Sequence, residues 1–131
     1  MTRADLIARL EKEGGSRELD AEIAILAGGW IRPRGRPGML AHKDAPNECS
    51  YDGWPEYTTS LDASIALCKR VLPPNWQMEI FMSMSGPTAV ALTDVDVSRY
   101  PGTVKKLDEI EHKSPATALC IALLRALEDG K

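Results

Sequence analysis

The sequence predicts a mixed α+β single domain, and three observations carry that prediction. Four stretches, 3–12, 17–27, 61–71 and 114–128, repeat apolar residues at helical spacing. One stretch, Trp76 to Met84, alternates Trp, Met, Ile, Met and Met with Gln77, Glu79, Phe81 and Ser83, the period of a half-buried strand. The chain has 131 residues, 44% of them hydrophobic, which is enough for one core without staples. Residues 1–131 are therefore expected to form one domain, interrupted by a long loop region over 32–56.

In the first helix, Thr2 and Asp5 have capping-box spacing, Leu6, Ile7 and Leu10 form one face, and Gly14–Gly15 ends the run. Ser16 caps the second helix. There Leu19, Ile23 and Leu26 are expected inward, with Arg17, Glu18, Asp20 and Glu22 outward, before Gly28–Gly29 stops it. Each helix is too short to be stable alone, so the pair must lean on a core supplied elsewhere. Trp30–Ile31 and Met39–His42 read as short strands around Arg32-Pro33-Arg34-Gly35-Arg36-Pro37-Gly38, whose prolines and glycines make a loop. Residues 43–56 read as a surface Ω-type loop, anchored by Trp54 and by Tyr57 just beyond it.

The third helix is expected to start at Thr59, with Asp62 completing a second capping box, and to end before Pro73–Pro74. Its stripe is Leu61, Ile65 and Cys68, with Leu67 and Val71 beside it. Ser85-Gly86-Pro87 is turn chemistry, so 76–84 and 88–95 should pair as an antiparallel hairpin, with Phe81, Val90 and Leu92 relieving the polarity of the second face. Residues 96–113 fit either a short helix or an edge strand. Ser114 and Pro115 then open the last helix, whose Leu119, Cys120, Leu123, Leu124 and Leu127 make the widest apolar stripe in the chain.

Composition narrows the functional classes. Net charge is −3, which disfavours general nucleic-acid binding, and no 18-residue apolar run suggests a membrane span. Three widely spaced cysteines fit reduced thiols and a cytoplasmic protein better than a disulfide framework. His42, Cys49 and His112 lack the short paired spacing of metal ligands, so no metal or other cofactor is expected. No phosphate-cradling glycine loop and no nucleophile elbow occurs, and the acidic pairs sit where solvation explains them, so no catalytic residue is assigned and a nonenzymatic protein is expected. Two features suggest ligand binding: Arg32, Arg34 and Arg36 supply forked donors for phosphate or carboxylate, and Tyr57, Thr59 and Asp62 stand at a helix start where backbone N–H groups are free. Asp62 opposes the second feature in part, because its carboxylate occupies the place an anion would take.

Four segments taken together resemble the small phage and prophage proteins of the phage ABA sandwich domain family. They are Asp5-Leu6-Ile7-Ala8-Arg9-Leu10-Glu11, Arg17-Glu18-Leu19-Asp20-Ala21-Glu22-Ile23-Ala24, Tyr57-Thr58-Thr59-Ser60-Leu61-Asp62-Ala63 and the run Pro115 to Leu127. The resemblance implies an α/β/α sandwich around a small antiparallel sheet, and a phage or prophage origin, with no catalytic residues to carry over. The expected function is then a nonenzymatic accessory protein in the cytoplasm of a bacterial host, binding a host protein in an anti-defence or regulatory role. The alternative is sequestration of a small phosphorylated ligand such as a nucleotide second messenger, for which a homo-oligomer interface is one setting.

Overall fold

A computed structural model of the chain describes residues 2–81, 88–96, 103–106, 110–112 and 114–129. In chain order the elements are α1 (Arg3–Glu13), α2 (Arg17–Leu26), β1 (Trp30–Ile31), β2 (Ala41–His42), α3 (Leu61–Val71), β3 (Trp76–Phe81), β4 (Thr88–Asp96), β5 (Thr103–Lys106), β6 (Ile110–His112) and α4 (Pro115–Asp129). The mixed α+β class expected from the sequence is the one observed. Its layers are organised by α4, which meets β4 and β6 on one side and α1 and α3 on another.

The caps of α1 and α4 follow the sequence. Thr2 and Asp5 form a reciprocal capping box, and the Thr117 N–H donates to Ser114 Oγ at 3.3 Å. One apolar stripe was expected on α4, yet every residue from Ala116 to Leu124 is buried. A helix enclosed on all sides needs small residues where its neighbours approach, and Ala116, Ala118, Ala122 and Ala126 supply them. Leu119, Leu123 and Leu124 fill the spaces between, each stabilising the fold by roughly 1.5–3 kcal/mol through burial.

β4 is the central strand of a four-stranded antiparallel sheet, with β3 along one edge and both β5 and β6 along the other. The segment that fitted either helix or strand is thus strand where it is described. Lys106 faces Thr93 and Ile110 faces Val90, so β5 and β6 follow one another along the same edge of β4. The β3–β4 pairing is as expected, although Met82, Met84 and the 85–87 turn lie outside the described residues. The register corrects one facial assignment. Met78 is opposite Leu92 and Ile80 opposite Val90, and cross-strand partners share a face, so Val90 and Leu92 join the apolar face. Phe81, opposite Ala89, stays on the other face and is 51% exposed.

α2 is rotated from its expected setting. Leu26 is exposed, while Asp20 is fully buried beside Leu19, Ile23 and Ala24. The reason is a hydrogen-bond site in the core: Asp20 Oδ1 accepts from the Thr58 N–H at 2.7 Å and lies 2.6 Å from the Thr58 hydroxyl, and Oδ2 pairs with Arg17 at 3.1 Å. A buried carboxylate is tolerated only when satisfied in this way. Thr58 also receives the Ser16 N–H at Oγ1, and its carbonyl accepts from the Thr117 hydroxyl of α4. Gly15 is required here, since a Cβ would lie 2.6 Å from the Thr58 carbonyl oxygen.

Two stability outcomes follow from this packing. Leu123→Asp would place a charge inside the enclosed helix and should leave the chain unfolded, read as loss of the cooperative melting transition. Asp20→Ala would strand the buried Thr58 N–H, while the Thr58 hydroxyl keeps the Ser16 carbonyl oxygen at 3.2 Å, and should cost roughly 1–3 kcal/mol in urea unfolding, whereas exposed Glu48→Ala should change stability little.

Candidate functional site

The loop over 32–56 is fastened to α2 at two places, and a cleft lies between them. Arg17 makes the first fastening: its guanidinium donates to the carbonyl oxygens of Asp52 at 2.9 Å and Trp54 at 3.0 Å, and it stacks over the Trp54 ring at 5.2 Å. Arg32 makes the second, pairing with Glu22 at 2.7 Å. The β1–β2 pairing and the bridge between Leu40 and Ser50 hold the base of the loop. Trp54 and Tyr57 are its buried anchors, as the sequence suggested, with Trp30 packed edge-on against both Trp54 and His42.

The cleft encloses about 530 Å³. α2 contributes Arg17, Glu18, Ala21 and Glu22, and the loop contributes Arg32, Arg36, Met39, Leu40, Tyr51 and Trp54 with the prolines and glycines between them. Such a volume is that of ordinary small-ligand sites, and the mixture of aromatic, Met and Arg side chains is the one that anchors recognition surfaces. Arg36 has no ion-pair or hydrogen-bonding side-chain partner among the described residues, and Tyr51 is 69% exposed. Glu18 is engaged elsewhere. Arg9 hydrogen-bonds Glu13 and Glu18 and holds both carboxyls below their ordinary range.

The six residues singled out from the sequence are not brought together. Arg32 and Arg36 line the cleft, Arg34 does not, and Tyr57, Thr59 and Asp62 lie outside its lining. Tyr57 is a core residue whose phenol is pushed up by burial. The helix start is also one residue later than expected. Ser60 is the N-cap of α3, its Oγ accepting from the Ala63 N–H at 3.3 Å, because the N–H groups of Thr59 and Ser60 first close a turn onto the Glu56 carbonyl. With Ala63 at the third helical position there is no capping box, and Asp62 takes no part in one.

Among the described residues no group of three or more His, Cys, Asp or Glu converges as metal ligands. Burial pushes the Cys68 thiol up to about 12 and the Cys120 thiol well above its usual value, and Cys120 Sγ rests 3.1 Å from the Tyr57 carbonyl oxygen. Both thiols are core groups, not thiolate nucleophiles. No helix among the described residues is long and apolar enough to cross a membrane. No family model, curated protein or solved structure matches the chain.

Sequence reasoning missed Arg17, Tyr51 and the half-buried Glu22 as parts of one site. Thirty-seven positions separate Arg17 from Trp54, so no local spacing signals their stacking. The corrected cap has a simple check: Ser60→Ala should lower stability by about 1 kcal/mol and Thr59→Ala by much less, measured by chemical denaturation.

Proposed function

We propose that this chain is a nonenzymatic accessory protein that acts by binding, with the cleft between α2 and the 32–56 loop as its recognition face. The observation that carries the reading is the exposed Tyr51 and an Arg36 that has no side-chain partner among the described residues, both on one largely apolar cleft. Tyr, Trp and Arg are the side chains that most often dominate protein recognition, since each combines large contact area with directed hydrogen bonding. The partner we favour is a host protein that presents an apolar side chain flanked by a carboxylate. The phage or prophage setting, the anti-defence or regulatory role and the cytoplasmic location rest on the sequence resemblance and on composition.

Capture of a small phosphorylated ligand is the second reading, favoured by the cleft volume and by Arg36 beside aromatic surface. A three-arginine grip is not required by it. Arg32 already holds Glu22, and a phosphate would have to exchange for that carboxylate or rely on Arg36.

The test pairs baits in a lysogenic host extract. Wild type should retain a discrete partner that a Tyr51→Ala/Arg36→Glu variant loses by at least about tenfold at unchanged melting temperature. Equal recovery on both baits would reject the cleft as the recognition face. Calorimetric titration with nucleotides and cyclic dinucleotides, in wild type and Arg36→Ala, decides the second reading, and a heat-silent wild type removes it.

A further inference from the structure

The arginines of the described residues fall into two groups. Arg9, Arg17, Arg32, Arg70 and Arg125 each hold a carboxylate or a carbonyl oxygen of the protein, and Arg3 in α1 stands apart from both groups, its Nε buried without a hydrogen-bond partner among the described residues. Arg34 and Arg36 are exposed and hold none among the described residues. Between them stands Gly35 at φ +71°, with no heavy atom within 4 Å of the place a Cβ would occupy. Pro33 and Pro37 fix φ on either side, and the Met39 N–H closes the following turn onto the Arg36 carbonyl at 3.2 Å. The loop therefore offers two free guanidiniums on a backbone that is bare between them and stiff at both flanks.

That shape is selective about its partner. An acidic peptide would be met by any pair of arginines, and nothing in its recognition calls for a residue without a side chain between two prolines. A DNA minor groove does call for it. The groove is roughly 6 Å wide, so a backbone enters most easily where it carries no side chain, and its floor presents acceptors at A·T pairs but an obstructing amino group at G·C pairs. The narrow groove of A·T tracts also concentrates negative potential, which draws inserted arginines. The chain's net charge of −3 supplies no general attraction to phosphate, so recognition by two residues would be local and base-composition dependent.

We propose that Arg34, Gly35 and Arg36 form a reading tip for the minor groove of A·T-rich duplex DNA. This site goes beyond the cleft reading: Gly35 and Arg36 also line the cleft and are shared by the two, whereas Arg34 lies outside the cleft lining and Tyr51 outside the tip, so those two residues tell the readings apart.

Fluorescence anisotropy on the full chain tests it, with two labelled duplexes of equal length, one with an A·T core and one with a G·C core. The A·T duplex should bind about tenfold or more tightly. Its log affinity should fall against log salt with a slope near −2, the value for roughly two neutralised phosphates. Arg34→Ala and Arg36→Ala should each weaken binding by about tenfold, and Gly35→Asn, a residue that tolerates the positive φ of this position, should abolish the A·T preference by filling the bare position. Melting temperatures of the variants, expected to be near wild type because the tip is exposed, show that the loss is not unfolding. Tyr51→Ala should leave DNA binding unchanged, and Arg34→Ala should leave partner capture by the cleft unchanged, so either proposal can fail alone. The DNA proposal is overturned by absence of binding to the A·T duplex, by equal affinity for the two duplexes, by variants that bind as wild type does, or by an acidic peptide that competes more strongly than the duplex.

Discussion

The carboxylate of Asp20 is the constraint on which most of this structure depends. It is fully buried on α2 and is satisfied by the N–H and hydroxyl of Thr58, a residue thirty-eight positions away that is itself fully buried. Hydrogen bonds to an ionised acceptor are stronger than neutral ones, and a carboxylate deprived of them would be costly in a dry interior. The two residues are therefore fixed relative to each other. Thr58 passes the constraint on: Ser16 at the start of α2 and Thr117 in α4 bond to the same residue, and Arg17 balances the second carboxylate oxygen from the half-exposed side. Three segments distant in sequence, the start of α2 with Ser16 and Asp20, the stretch at Thr58 and α4 at Thr117, thus meet at one polar junction beside the hydrophobic core.

Around that junction α4 provides the apolar framework. Its alanines let α1, α3 and the sheet come close while its leucines occupy the gaps, so removing surface from water drives assembly from several sides of one helix. The sheet presents Trp76, Met78, Ile80, Val90 and Leu92 to this framework and leaves Gln77, Glu79 and Phe81 outward. The two short helices at the N-terminus gain their stability by docking, since neither is long enough to persist alone.

The same polar junction prepares the candidate site. Arg17, held by Asp20, reaches over Trp54 and donates to the carbonyl oxygens of Asp52 and Trp54, so the loop is tied to the helix whose orientation Asp20 fixes. Arg32 repeats the tie through Glu22 at the other end. A long loop that would otherwise sample many conformations is pre-ordered by these contacts, which lowers the entropic cost of any later binding. The arginines that perform this work are occupied at home, whereas Tyr51, Arg34 and Arg36 are left exposed.

The sequence by itself determined the elements whose signals are local. The caps at Thr2, Ser16 and Ser114, the four helical stretches, the β3–β4 pairing and the thiols buried at Cys68 and Cys120 all follow from spacing over a few residues. The loop was legible too, with its Trp54 and Tyr57 anchors, because prolines and glycines act on their immediate neighbours. Only the tertiary structure decided which way α2 faces, since Asp20 reads as a surface carboxylate until Thr58 is brought against it. The face of Val90 and Leu92 likewise depended on register, because a strand's alternation fixes its two faces but not which one joins those of its partner. The arginines show the same division for the site: sequence gives three free-looking guanidiniums, and folding assigns Arg32 to Glu22 and brings Arg17 to Trp54. Charge pairing and cation–π stacking act through space over distances of a few ångströms, and only folding sets those distances for residues tens of positions apart.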